Sequence, residues 1–348
     1  MQYRLLALLI PILALASVFA FQAPKERPDP RGYAALHCPK APTIDGDITE
    51  DAWKAAPWSE DFADIEGDAK PKPTYRTRMK MLWDEKALYI AAELKEPHVW
   101  ATITKHDEVI FQDPDFEVFI DPDGDNHNYA EMELNAKNTT WDLLLTKPYL
   151  DGGKAINAWE ATGLKTAVKV QGTINDPSDT DTGWTVEIAW PWEGLKEIAN
   201  GNFPPKPGDT WRINFSRVEW DIEIKDGKYS KVKGKPEHNW VWSPQGVIDM
   251  HRPERWGVVQ FSAKEAGPVA FEADPSWPVQ RWLGDFYDAQ AAFKTKEKKY
   301  AKSLSELGLK EPPTGTATWD LTRSGYEATV TSGKKSFTIR EDRKMTKE

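Results

Sequence analysis

Two-residue alternation between Asp115 and Asn135 is the feature that most narrows what this chain can become. In DFEVFID, Phe116, Val118 and Ile120 alternate with Asp115, Glu117 and Phe119; after the turn PDGDNHN the alternation resumes with Ala130, Met132 and Leu134. A period of two is that of a β-strand, and an Asp- and Gly-rich turn between two such runs makes a hairpin. Its second face gathers Asp115, Glu117, Tyr129, Glu131, Glu133 and Asn135. Like charges opposed on a sheet are destabilising unless water, a cation or a ligand offsets them. The face is therefore either solvated, as half-exposed antiparallel sheets commonly are, or arranged to hold a polar ligand.

The same alternation recurs along the chain. Tyr75, Thr77, Met79, Met81 and Trp83 alternate with Arg76, Arg78 and Lys80, and a turn at Asp84–Ala87 leads into LYIAAEL. Trp184, Val186, Ile188 and Trp190 share one face, as do Trp211, Ile213 and Phe215, and WGVVQF at 256–261 supplies a last strand. Strand signals this close together, with few helical patterns between them, predict a mainly β fold: an antiparallel β-sandwich of immunoglobulin-like or jelly-roll type over residues 36–262. The excursion 95–112 is a long connection, of the kind that often carries binding residues. Composition changes near Pro268. An amphipathic helical pattern at 284–309 and three short strand signals then predict a small helix-plus-sheet unit over 275–348 that leans on the first domain.

The first 20 residues read as a signal peptide: one Arg, an apolar run, and small residues Val18 and Ala20 before Phe21. Residues 21–35 are Pro-rich and charged, and read as a linker. The expected destination is outside the cytoplasm, in a periplasmic, cell-surface or extracellular setting, without stable membrane insertion after cleavage. The single cysteine, Cys38, allows no intramolecular disulfide. A formal net charge of −10 and the lack of a basic stripe argue against a nucleic-acid partner. The 17 Trp residues suit either a large β core or stacking on sugar rings, and composition does not separate the two uses.

The series IDGDITEDAW, LWDEKALYIAAEL, DFEVFID, NYAEMELNA, GWTVEIAWPW, WRINFSRVEW and HRPERWGVVQF resembles carbohydrate-binding module family 9, a secreted β-sandwich appended to xylanases. The resemblance covers about Leu36 to Phe261. It implies a non-catalytic protein with a carbohydrate ligand, of plant polysaccharide or oligosaccharide type, and calcium in a structural role. The family's sugar-contacting acidic residue falls on Glu117, and polar contacts of the next strand fall on Glu133 and Asn135. The first of two tryptophans that sandwich a sugar falls on Phe111. The second falls on Met250, so the clamp departs from the family's pattern, and His251, Trp242 and Trp100 are the candidates to replace it.

The same chain offers residues for other chemistries. Asp121, Asp123 and Asp125 place carboxylates at alternate positions, as a hard cation such as calcium requires, although a plain Asp-Gly turn has the same composition and the loop is not an EF-hand. Glu117 and Glu133 form a candidate acid and base pair for a glycoside hydrolase. Met250 and His251 are a candidate haem-ligand pair for an electron carrier, a reading the sequence disfavours. His98, His106, His127 and His238 show no metal-ligand spacing.

Overall fold

The apolar alternation closes into a sheet that curls on itself. The computed structural model describes residues 28–199 and 203–348, so the expected signal peptide lies outside the described residues. In chain order the first domain contains β1 (Gly32–His37), α1 (Asp51–Ala55), β2 (Ala63–Asp64), β3 (Thr77–Trp83), β4 (Ala87–Lys95), β5 (Asp115–Asp121), β6 (Tyr129–Asn135) and β7 (Thr140–Leu145). It continues with β8 (Ala155–Ile156), β9 (Lys165–Gln171), β10 (Gly183–Pro191), β11 (Thr210–Glu219), β12 (Ile222–Lys225), β13 (Lys228–Lys231), β14 (His238–Val241) and β15 (Gly257–Ser262). The strand order is β8-β7-β6-β5-β11-β15-β1-β3-β4-β10-β9; β14 pairs with β11 and β2, and β12–β13 form a separate ribbon.

One continuous core fills the inside of this curl. Met79, Met81 and Trp83 of β3, Trp184, Val186, Ile188 and Trp190 of β10, and Ile213 and Phe215 of β11 meet Phe116, Val118 and Ile120 of β5 and Met132 and Leu134 of β6. These are the faces that the alternation assigns inward. Of the 17 tryptophans, 12 are buried, so their number reflects the core first.

Two expectations are corrected. Gly32–Leu36 pairs with Val258–Ser262, so the sandwich begins inside the stretch read as a linker. That strand also runs parallel to both of its neighbours, β15 and β3, which makes the sheet mixed rather than wholly antiparallel. Parallel neighbours need a long connection, and residues 38–76, which include α1, supply it between β1 and β3.

The C-terminal unit packs α2 (Trp277–Glu297) and α3 (Leu304–Leu307) on an antiparallel sheet of β16 (Thr316–Leu321), β17 (Tyr326–Ser332), β18 (Lys335–Arg340) and β19 (Met345–Lys347). Its own core holds Leu283, Phe286, Val330, Phe337 and Ile339. A core of this size is marginal alone, and a buried ionic seam ties it to the sandwich. Arg343 donates to Asp151 at 2.8 Å and to Glu254 at 2.7 Å, while Arg252 and Arg255 both reach Asp288. Tyr287 bonds Asp151 through its hydroxyl. Among the described residues, no helix is long and apolar enough to cross a membrane.

Candidate functional site

The outer face of the β5–β6 hairpin forms as its sequence implies, and neighbouring strands extend it. Pairing aligns Trp141, Glu133, Glu117 and Ser216 in one row across β7, β6, β5 and β11. The next row holds Leu143, Glu131, Phe119 and Asn214, and Asp115 stands opposite Asn135 at the far end of the hairpin. The face is buried, not solvated: Asp115 and Asn135 are 0% exposed, Glu133 2%, and Glu117 and Glu131 5%.

The excursion before β5 and the segment after β11 provide the cover. The excursion before β5 folds back over the hairpin: Asp113 accepts bonds from the Thr102 and Ile103 amides and the Thr102 hydroxyl, and the Phe111 amide donates to Glu133 Oε2 at 2.8 Å. Trp220 donates its indole N–H to the Phe111 carbonyl, and Lys231 Nζ lies 3.3 Å from the centre of the Trp220 ring. Beside this cover lies a cleft of about 570 Å³, lined in part by Tyr75, His98, Trp220, His238 and Trp240.

Carboxylate oxygens of Asp115, Glu117 and Glu133 lie within 4.8 Å of one another. Two unit charges at that distance repel by about 3.5 kcal/mol at an effective dielectric of about 20. Burial is the main cause that pushes all the acidic groups of this face upward, with mutual repulsion adding to it for Asp115, Glu131 and Glu133. Glu117 is pushed up to about 7, chiefly by burial and further by Glu237. A face of this kind takes up protons, a cation or a ligand's hydroxyl donors more readily than an exposed one.

The proposed site residues separate into two groups. Phe111, Glu117, Glu133 and Asn135 come together, but Asn135 bonds locally at every position: Nδ2 to Ile103 O and Asp113, and Oδ1 from the Lys137 and Thr139 amides. It holds the cover in place. His251 packs on the same face farther along, against Phe119 and Tyr129, and accepts or donates at Nδ1 with the Tyr129 hydroxyl at 3.0 Å. Burial holds its pKa down to about 4, so the ring is neutral at ordinary pH. Met250 points its sulfur at Gln245 Nε2, 3.0 Å away. Trp242 lies in the inner core, T-shaped against Tyr33 and Phe215, and a Cβ at Gly257 would meet its ring at 2.2 Å. Trp100 is buried as well.

Two aromatics that sequence reasoning did not assign border the acidic rows. Tyr149, 46% exposed, packs edge-on against His251 with centroids 4.5 Å apart, and its hydroxyl feels Glu131 and Glu133. Trp141 is half-buried beside Glu133, with an indole N–H that has no hydrogen-bond partner among the described residues. Register was the available signal for Trp141, because continuing the alternation from Glu133 across the next hairpin puts it on this face.

Asp121, Asp123 and Asp125 also bring oxygens within 4.8 Å of one another. Their turn is largely satisfied by itself. Asp121 accepts from the Gly124 and Asn126 amides, Asp125 from that of His127, and Lys344 Nζ stands 3.2 Å from Asp125. The Met345 amide donates to the Asp125 carbonyl, so the C-terminal unit docks on this turn.

The class that the fold and face define is a curled β-sandwich with acidic and aromatic side chains on one outer face. The chain belongs to the carbohydrate family 9 binding domain-like family, whose sequence model matches residues 44–263. It is 26% identical over 159 residues to endo-1,4-β-xylanase A of Thermotoga neapolitana; the match takes in 46% of this chain and 13% of that enzyme. Among solved structures it is similar to a family 9 module from Caldicellulosiruptor kristjanssonii in complex with cellotriose (14% identity, TM-score 0.42, 70% of this chain and all of that one). A putative carbohydrate-binding protein from Bacteroides uniformis gives 16% identity and a TM-score of 0.48, over 67% of this chain and all of that one.

Proposed function

We propose that this chain is an exported, non-catalytic protein that binds plant-type polysaccharide or oligosaccharide on the outer face of β5, β6 and β7. The half-buried Trp141 and the exposed Tyr149, at the border of the acidic row Glu133–Glu117, carry the reading. A pyranose presents apolar C–H groups on its faces and hydroxyls around its rim; aromatics cover the first and carboxyl groups bond the second. Tyr149 and Trp141 are the exposed and half-exposed aromatics at the edge of the acidic rows, and they mark the side from which a ring arrives. Carboxyls with raised pKa suit this work, since a protonated one donates to a hydroxyl oxygen and an ionised one accepts from a hydroxyl.

The reading is one of binding rather than cleavage, in keeping with the binding-domain family whose model matches residues 44–263. Glu117 and Glu133, opposite each other on adjacent strands, are assigned to hold hydroxyls. The xylanase likeness makes xylo-oligosaccharides the first probe and cello-oligosaccharides the second. Calorimetry on the full chain should show saturable binding to one of these series, and Tyr149→Ala should weaken it about tenfold. Equal affinity in that variant would move the site elsewhere.

A further inference from the structure

We propose that His106, Asp107, Asp142 and Glu160 form a binding site for a divalent transition metal of the zinc type, on the opposite side of β7 from the acidic face. Three separate segments bring these donors together: the excursion before β5 supplies His106 and Asp107, β7 supplies Asp142, and the connection between β8 and β9 supplies Glu160. No spacing along the sequence shows such a group. Side chains alternate along β7, so Asp142, next to Trp141 in the chain, points away from the face that Trp141 borders. Ligand atoms of His106, Asp107 and Glu160 lie within 4.8 Å of one another. With Asp142, Thr140 and residues 161–164, His106 and Glu160 line a pocket of about 320 Å³.

The imidazole is oriented for a metal. Its Nδ1 stands 2.8 Å from the Thr140 carbonyl oxygen, which can only accept, so Nδ1 carries the proton of the neutral ring and Nε2 keeps its lone pair. A ring N–H held by a backbone carbonyl is a common support of a metal-bound histidine. Nε2 faces three carboxylates: Asp107 Oδ1 at 3.3 Å, Glu160 Oε2 at 3.3 Å and Asp142 Oδ1 at 3.8 Å. Zinc holds nitrogen and oxygen donors at about 2.0–2.2 Å in a tetrahedron, whose edges are then about 3.4 Å, close to these separations. Asp142 is an observation independent of the ring. Its side chain is 4% exposed, its Oδ2 accepts the Ala161 amide, and among the described residues no hydrogen bond reaches its Oδ1. A protonated ring would offset one of the three negative charges, whereas a divalent ion offsets two and bonds the donors directly. The imidazole favours zinc over calcium and magnesium, which take oxygen donors.

The test needs no sugar, so it stands or falls separately from the sugar-binding reading. Full-length protein stripped with EDTA and dialysed is titrated with zinc by calorimetry at neutral pH, with and without equimolar calcium. Cobalt(II) in place of zinc reports tetrahedral coordination through its visible absorption bands. Wild type should take up one zinc that calcium does not displace, and melt higher when loaded. His106→Ala and Glu160→Gln, both at exposed positions, should each weaken zinc uptake at least tenfold and lose the cobalt bands, with melting temperatures in EDTA unchanged. His238→Ala, which removes the ring paired with Asp221, should leave uptake within twofold. Absence of zinc uptake by the wild type would overturn the proposal and leave an imidazolium among carboxylates. So would uptake undiminished by His106→Ala, displacement of zinc by equimolar calcium, or loss confined to His238→Ala.

Discussion

Replacing Glu117 by Gln should stabilise the metal-free protein, an unusual outcome for a substitution at a buried polar site. Glu117 is 5% exposed, and its pKa is raised from 4.5 to about 7, chiefly by burial. A carboxyl whose folded pKa lies above its unfolded value penalises the folded state wherever it must ionise, so the penalty is complete above pH 7 and fades as the pH falls towards 4.5. At 1.36 kcal/mol per pH unit the shift corresponds to about 3 kcal/mol. The Gln amide keeps the size, removes the charge and supplies a donor for Glu133, its cross-strand partner. Urea denaturation in EDTA, followed by Trp fluorescence, should therefore give Glu117→Gln an advantage of about 3 kcal/mol at pH 8 that disappears near pH 4. A variant less stable than the parent at pH 8, or a difference independent of pH, would refute the claim that an uncompensated charge is buried there.

The seam between the two units gives a second expectation. Arg343, 2% exposed on its side chain, bridges Asp151 and Glu254, and removing one partner of a buried ionic network costs about 3–5 kcal/mol. Arg343→Ala should therefore expose the connection at residues 263–275 to limited proteolysis, leaving a fragment of the sandwich; unchanged resistance would mean the seam does not hold the unit. In the core, Trp184 is 1% exposed on the inner face of β10, so Trp184→Ala should lower stability by about 3–5 kcal/mol in denaturant titration.

The strands and their inward faces were legible because period two survives in each of them: Met79, Met81 and Trp83 point inward for the same reason as Trp184, Val186 and Ile188. The hairpin register was legible too, and with it the pairing of Glu117 with Glu133. The burial of that pair was not. Its cover comes from residues 102–113, from Trp220 just past β11 and from Lys231 at the end of the short strand β13, held by side chains such as Asp113 and Asn135 whose partners are fixed only by the folded chain. The pairing of Gly32–Leu36 with Val258–Ser262 was hidden in the same way, since a short strand next to prolines resembles a leader until its distant partner is known. Trp242 looked available as a stacking platform, but the missing side chain at Gly257 lets the ring sink into the core. Tyr149 carried no periodic signal, because it follows the end of β7 in a short helical turn.

Sugar binding on the acidic face is tested most directly by calorimetry of xylo- and cello-oligosaccharides against the full chain, alongside Tyr149→Ala and Glu133→Gln, at equal protein concentration and with calcium present. Saturable binding by the parent, weakened about tenfold in each variant while the melting temperature of Tyr149→Ala is unchanged, is the expected result. Binding that both variants retain at the parent's affinity would contradict the assignment of this face.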